Sequence, residues 1–183
     1  MANAKECTLY SGGLRGAEAE FGAQAQKWGA NEVTFTYEGH QPSRTRGLTE
    51  LSPEEMTRGD ISMEIVCTRM NRSYSNAEAI RKVMQMIFHM VNKGLQVFVV
   101  GWIQENNTVK GGTGWTVELA KLFNRPISVF DQDRNRWFDW KEGSWVESTP
   151  TIQHKTFTGT GTRNLSEEGK QAIHDLFVRS FTS

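Results

Sequence analysis

The sequence contains few cysteines, no recognisable targeting segment and no long apolar run. Its two cysteines, Cys7 and Cys67, lie in apolar segments without metal-ligand spacing, so we expect buried thiols in a reducing compartment. The start of the chain has no apolar stretch behind basic residues, which predicts no secretory signal. The longest apolar run, near residues 95–101, is far too short to span a bilayer. These absences predict a cytoplasmic protein with no membrane partner.

An excess of charge of either sign is also lacking, because 21 Lys and Arg residues balance 21 Asp and Glu residues. A broad nucleic-acid surface normally needs an excess of basic charge, so this balance argues against a nucleic-acid partner. No Gly-x-Ser-x-Gly elbow occurs and Ser11 has no obvious partner histidine, which excludes a serine nucleophile. Four histidines without mutual metal-site spacing favour neither a metal nor another cofactor; they are His40, His89, His154 and His174.

Short β-like runs alternate with helical patterns along the chain, which is typical of a parallel sheet covered by helices. The expected strands cover residues 7–10, 32–36, 95–100 and 127–130, and the expected helices cover 17–28, 52–70, 76–94, 114–123 and 166–181. A chain of 183 residues with 37% hydrophobic residues suits one folded domain. We therefore predict an α/β fold: a single Rossmann-like domain over residues 1–183, with a mostly parallel sheet flanked by helices.

Local signals predict several boundaries within this pattern. The polar residues 37–51 are expected to form a surface loop, and residues 52–55 combine an N-cap serine, a proline and a capping-box glutamate at a helix start. Gly59 weakens the helix that follows. Ser75 or Asn76 is expected to cap the next helix.

Two further segments are defined by their unusual composition. The helix expected over residues 76–93 carries methionines at core-facing spacing, which is more typical of core filler than of a binding surface. Residues 131–160 are expected to form an irregular covering segment or a hairpin, rich in tryptophan at Trp137, Trp140 and Trp145.

Two glycine clusters, within residues 10–18 and 110–118, each follow a strand and open a helix. Glycine permits a sharp turn and leaves no side chain between the backbone amides and a ligand. The free N–H groups of a helix start attract phosphate, and such turns meet at the carboxyl edge of a parallel sheet. Neither cluster is a P-loop or a Gly-x-Gly-x-x-Gly fingerprint. The first cluster is explained equally well by a tight turn without a ligand.

Acidic and basic side chains near these turns have both a functional and a structural interpretation. Glu118 lies one helical turn past Gly114, where it would accept from ribose hydroxyls, act in acid–base chemistry or complement the helix dipole. Asp131 and Asp133 follow a strand and would bind ribose or a metal, or form a turn. Arg163 would reach the pocket or form a loop salt bridge.

These residues resemble a known family. Residues 110–118, Lys-Gly-Gly-Thr-Gly-Trp-Thr-Val-Glu, resemble the Pro-Gly-Gly-x-Gly-Thr-x-x-Glu signature of lonely-guy (LOG) proteins. The wider SLOG superfamily, which includes DNA-processing protein A, has a first turn similar to residues 11–18. Residues 129–132 with Trp137, and residues 159–163, are similar to a bacterial and phage branch of that superfamily. The resemblance runs from about residue 7 to the C-terminus and implies a Rossmann-like fold.

The resemblance also implies a site. LOG enzymes cleave the N-glycosidic bond of nucleoside 5′-monophosphates, using the motif glutamate and an upstream arginine. Carried over, Glu118 would be the catalytic carboxylate and Arg81 the arginine, with Arg69 and Arg72 as alternatives. The implied ligand-binding residues are Ser11, Gly12, Gly13, Gly16, Glu18, Lys110, Gly111, Gly112, Thr113, Gly114, Trp115 and Asp131.

The chain departs from the enzyme signature at two positions, where Lys110 replaces proline and Trp115 replaces threonine. The second change removes a hydroxyl donor near phosphate but offers a stacking face for a base, and Lys110 adds a point charge. We therefore expect a binding or sensing module for a nucleotide or a derivative such as an ADP-ribose compound. The alternatives are a phosphoribohydrolase and a DNA-processing role. Superfamily members are frequently dimers, so the resemblance implies a homodimer, with the helix over residues 76–93 as a candidate interface.

Overall fold

The structure, a computed structural model, describes residues 3–74 and 76–182. The strands are β1 (Thr8–Ser11), β2 (Asn31–Thr36), β3 (Leu48–Glu50), β4 (Gln96–Gly101), β5 (Ile127–Asp131), β6 (Arg136–Lys141), β7 (Ser144–Ser148) and β8 (Thr156–Gly161). The helices are a short 3-10 helix (Ala4–Glu6), α1 (Ala17–Trp28), α2 (Pro53–Thr57), α3 (Asp60–Arg69), α4 (Glu78–Lys93), α5 (Thr113–Leu122) and α6 (Glu167–Phe181).

The eight strands form one sheet in the order β3-β2-β1-β8-β4-β5-β6-β7. Along this order, each pairing between β3 and β5 is parallel. Strand β6 pairs antiparallel with both β5 and β7. This confirms the predicted α/β fold with a mostly parallel sheet flanked by helices. The tryptophan-rich segment supplies a hairpin, β6–β7, which extends one side of the sheet.

Strand β8 occupies the centre of the sheet, although the sequence indicated no strand there. It pairs with β1 through Leu9 and Phe157 and with β4 through Val97 and Thr158. Its small residues let helices pack closely, since a Cβ atom at Gly159 would overlap the Phe21 side chain. Residues 156–161 thus form a buried central strand rather than part of an irregular cover.

The hydrophobic residues of the sheet alternate between two helical layers. On one face, Phe98 and Phe157 pack with Phe21 of α1 and Phe177 of α6. On the other face, α3, α4 and α5 cover the sheet. Val97 of β4 belongs to the same buried hydrophobic cluster as residues of these three helices. The methionines of α4 are core filler as expected, because Met84, Met86 and Met90 are all buried. Both thiols are free and buried, also as expected.

Several boundaries differ from the expected ones. The helix expected over residues 52–70 is split at Gly59 into α2 and α3, and Gly59 packs against Phe88, where a Cβ atom would be 2.7 Å from that side chain. The capping box at the start of α2 is present, with Ser52 and Glu55 bonded reciprocally. The N-cap of α4 is Ala77 rather than Asn76, and Ser75 lies outside the described residues.

Residues 37–51 also contain more structure than the loop expected there, because Leu48–Glu50 form the edge strand β3. All three residues of this strand are exposed, so it lacks the buried apolar positions that make a strand recognisable. Among residues 3–74 and 76–182, no helix has the length and apolar character needed to cross a membrane.

Candidate functional site

A cleft of about 500 Å³ opens at the centre of the carboxyl edge of the sheet. The chain leaves β1 towards β2 and leaves β4 towards β5, in opposite directions, and β8 lies between them. Such a reversal leaves a crevice that no connection covers. Residues that follow all three strands line it, including Leu14 after β1, Trp102 after β4 and Thr162 after β8.

The second glycine turn and the start of α5 form one wall of this cleft through residues 110–113. Within the described chain, the backbone N–H groups of Gly111, Gly112 and Thr113 donate to no protein acceptor. Gly111 has φ +74° and nothing within 4 Å of the position of a Cβ atom, so its backbone is open to the cleft. A helix N-terminus with free N–H groups carries partial positive charge and suits an anion.

Two cationic side chains, Lys110 and Arg163, also line the cleft. Among the described residues, neither has a carboxylate within ion-pair distance. The Lys110 ammonium lies 5.6 Å from the centre of the Trp102 ring. Together with the N–H groups of α5, Lys110 gives this part of the cleft an anion-attracting character. Arg163 contributes its charge from the opposite side, near Glu18 and Gly16.

The first glycine turn is organised by Glu18, whose buried carboxylate lines the cleft. Glu18 accepts hydrogen bonds from the Leu14 N–H at 2.9 Å and the Thr160 hydroxyl at 2.7 Å. Burial raises the pKa of Glu18, and these hydrogen bonds and the charge of Arg163 offset only part of that rise. The carboxylate therefore holds the turn, β8 and the cleft floor together.

The other residues that were expected in the first turn stabilise its backbone and do not contact the cleft. The Ser11 hydroxyl accepts from the Gly13 N–H at 3.2 Å, and the Gly13 carbonyl accepts from the loop that carries Arg44. At Gly16, where φ is +90°, a side chain would overlap the Thr162 carbonyl. None of Ser11, Gly12, Gly13 and Gly16 lines the cleft.

Aromatic and aliphatic side chains supply the remaining walls. Trp115 lies on α5 beside the free N–H groups, and its buried indole N–H has no partner in the described chain. Gly114 lies behind it, packed so closely against the Val109 carbonyl that no side chain fits. Helix α4 contributes Val83, Ile87 and Met86, so one of the methionines predicted to fill the core also lines the cleft. The cleft therefore offers flat aromatic surface close to its anion-attracting end.

Glu118 and Arg81, the two residues expected to be catalytic, do not line the cleft. The Glu118 carboxylate lies 2.7 Å from the Lys121 ammonium. Arg81 lies 4.3 Å over the Tyr74 ring and 3.6 Å from Asp60. The structure therefore places both side chains in contacts that hold other parts of the fold.

Among the alternative arginines, Arg72 comes nearest to the second glycine turn. Its guanidinium is 3.5 Å from the Gly111 carbonyl oxygen, but neither Arg72 nor Arg69 lines the cleft. Asp131 is buried and takes the turn-forming role, since it accepts from the Asp133 N–H at 2.9 Å and from the Arg134 side chain at 2.7 Å. The described residues contain no group of three acidic, histidine or cysteine side chains that could hold a metal.

Sequence reasoning missed the contribution of β8. Thr160, Thr162 and Asn164 line the cleft beside Arg163, because β8 ends between the two glycine turns. The only signal was the Gly-Thr-Gly-Thr-Arg segment at residues 159–163, which is small and polar rather than strand-like. The tryptophans of the β6–β7 segment do not line the cleft. One of them, Trp137, packs into the core against Phe98.

The fold and the cleft together define an α/β protein with a cleft at the switch point of a mostly parallel sheet, where ligands of such folds bind. Comparison with known proteins found no relative: no protein-family model matches the chain, and no curated protein or solved structure is significantly similar to it.

Proposed function

We propose that this protein binds a nucleotide, or a nucleotide derivative, in the central cleft. The observation that carries the proposal is the set of unpaired positive groups at the α5 end of the cleft, which are the free N–H groups of residues 111–113 and the ammonium of Lys110. Arg163 adds a further positive charge to the cleft from the side of Glu18 and the first glycine turn. This combination suits a phosphate, which has both the charge and the acceptor oxygens to satisfy it.

The aromatic walls suit the base of the same ligand. Trp102 and Trp115 flank the phosphate end, and their rings offer stacking surface that tolerates any base. A volume of about 500 Å³ falls within the range of small-molecule sites, roughly 300–1,000 Å³. The phosphate and the base of one nucleotide therefore have matching surfaces in one cleft.

Hydrolysis of an N-glycosidic bond is the less favoured alternative. Its expected carboxylate, Glu118, is bound to Lys121 outside the cleft lining, and its expected arginine, Arg81, is bound to Asp60. A DNA-processing role is less favoured again, because the chain has no excess of basic charge. Binding of a nucleotide requires neither Glu118 nor Arg81, and it requires no excess of basic charge.

The test is calorimetric titration of the purified protein with AMP, GMP, CMP, UMP and ADP-ribose. We expect at least one of these ligands to bind with a dissociation constant below about 1 mM. Arg163→Gln removes a charge from the cleft and should weaken that binding about tenfold. Arg136→Gln is the matched control, because Arg136 lies on the β6–β7 hairpin and pairs with Glu147 instead. Absence of saturable binding by every ligand would contradict the proposal.

A further inference from the structure

The Glu18 carboxylate forms an acceptor site on the floor of the cleft. An ionised carboxylate offers about four lone-pair positions for hydrogen bonds. Two donors of the described chain use it: the Leu14 N–H and the Thr160 hydroxyl. Glu18 is only 6% exposed and lines the cleft, so a ligand in the cleft would contact this carboxylate.

The cleft therefore has two chemically different ends. Its α5 end offers the positive groups of residues 110–113, whereas its floor offers the oxygens of Glu18 and Thr160. The acceptor oxygens of a phosphate match the N–H groups and the ammonium at the α5 end, and not the acceptor oxygens of Glu18 and Thr160. The phosphate belongs at the α5 end, and a part of the ligand that carries hydrogen-bond donors belongs against Glu18.

In a nucleotide, the ribose lies between the phosphate and the base, and its vicinal hydroxyls are donors. Thr160 already donates to Glu18, so its oxygen keeps lone pairs that can accept from a second hydroxyl. We infer that Glu18 and Thr160 bind the ribose diol and make the cleft selective for ribonucleotides over 2′-deoxyribonucleotides. This inference rests on the proposed nucleotide-binding function.

The selectivity has a direct physical cause. A 2′-deoxyribonucleotide fills the same space but leaves the acceptor capacity of Glu18 desolvated and unpaired. A site built around a ligand hydroxyl discriminates strongly against an analogue that lacks it. The apolar walls do not contribute, because they contact the base, which both ligands share.

The first test needs no substitution. Each of AMP, GMP, CMP, UMP and ADP-ribose is titrated against its 2′-deoxy counterpart by calorimetry. For every ribo-ligand that binds, we expect the deoxy form to bind at least about tenfold more weakly. Equal affinities would overturn the inference and leave the proposed function standing. Absence of binding by every ligand would overturn both.

The second test assigns the selectivity to residues. Glu18→Gln preserves the size of the side chain but replaces one acceptor oxygen by a donor, and should reduce the ribo-to-deoxy ratio to about one. Glu20→Gln is the matched control on α1, because Glu20 bonds Gln24 and does not line the cleft. Thr160→Val, which removes only the hydroxyl, should also lower the ratio and provides the assignment if Glu18→Gln does not fold. A ratio unchanged in the folded variants would show that neither residue reads the sugar.

Discussion

The Lys121 ammonium lies 2.7 Å from the Glu118 carboxylate, and the two side chains form a salt bridge within helix α5. The same ammonium lies 3.8 Å from the centre of the Trp140 ring and donates to the Asn107 carbonyl. Lys121 thus joins α5 to the β6–β7 hairpin and to the loop before the glycine turn. Glu118 neutralises a cation that is itself largely buried, with a side chain only 13% exposed.

This position predicts a structural effect for Glu118→Gln. The variant should lose about 1 kcal/mol of unfolding free energy, because a charge-assisted hydrogen bond becomes a neutral one. Its nucleotide affinity should change by less than about twofold, within the usual effect of a distant substitution. Urea denaturation and calorimetric titration measure the two quantities. A loss of affinity of about tenfold would place Glu118 in the site after all.

Gly111 offers a prediction with an internal control. Gly111 (φ +74°) and Gly143 (φ +80°) share a left-handed backbone, and a Cβ atom at either meets nothing within 4 Å. Alanine at either position should therefore cost about 1 kcal/mol of stability from backbone strain alone. Only Gly111→Ala should also weaken nucleotide binding, because only Gly111 lies in the cleft. Similar affinities for the two variants would argue against the phosphate position.

Lys110 should contribute to binding mainly through its charge. Lys110→Gln should weaken nucleotide binding about fivefold and reduce the dependence of the dissociation constant on salt, because exposed charges are screened. Titrations at low and high ionic strength measure both effects. Lys170→Gln on α6 is the control, since Lys170 is exposed and lies away from the cleft. An unchanged salt dependence in Lys110→Gln would count against this role.

The contact between Tyr74 and Asp60 should stabilise the segment before α4. Burial raises the pKa of Asp60, but the bonds from Tyr74 and Gln85 and the charge of Arg81 outweigh it and hold that pKa below 3.8. This stabilisation is therefore present at neutral pH and is lost as pH falls through the lowered pKa. Tyr74→Phe should cost about 1 kcal/mol in urea unfolding at neutral pH.

Tyr10→Phe provides the comparison for Tyr74→Phe. Within the described chain the Tyr10 hydroxyl makes no hydrogen bond, and its ring stacks on Phe35, a contact that phenylalanine preserves. The stability of Tyr10→Phe should therefore match that of the wild type. Equal losses in both variants would mean that the bond to Asp60 contributes little.

The buried carboxylate of Glu18 should make stability depend on pH in the opposite direction. Burial raises its pKa above 4.5, so the folded chain keeps the proton at pH values where the unfolded chain has lost it. The contribution of Glu18 to stability should thus fall as pH rises from 4.5 to the folded-state pKa, and then stay constant. Urea unfolding of the wild type and Glu18→Gln across this range isolates the effect. Parallel curves would contradict it.

Much of the layout could be predicted because its signals are local. The glycine turns are recognisable because each follows a strand pattern and precedes a helix pattern. The capping box at Ser52 and Glu55 is recognisable from four consecutive residues. Strand β8 could not be predicted in this way. Its glycine at position 159 is required by Phe21 of α1, which is distant in sequence.

The orientation of the Glu118 side chain could not be predicted either, because it also depends on contacts with residues outside the local pattern. Its position after the glycine turn predicts a place at the ligand end of α5. Lys121 and Trp140 decide where the carboxylate lies, and the hairpin that carries Trp140 is placed by pairing with β5. Local patterns therefore located the second glycine turn at the cleft, whereas tertiary contacts decided which side chains line it.

The central place of β8 also has a consequence for the order in which the protein is made. Strands β1 and β4 emerge from the ribosome long before residues 156–161. In the folded sheet, β8 lies between them and joins them. Until β8 is made, each has an unpaired edge, which is prone to aggregation, and contacts so distant in sequence form slowly. The cleft, too, is incomplete without Thr160–Asn164. A nascent chain therefore completes this cleft only after β8 has been synthesised.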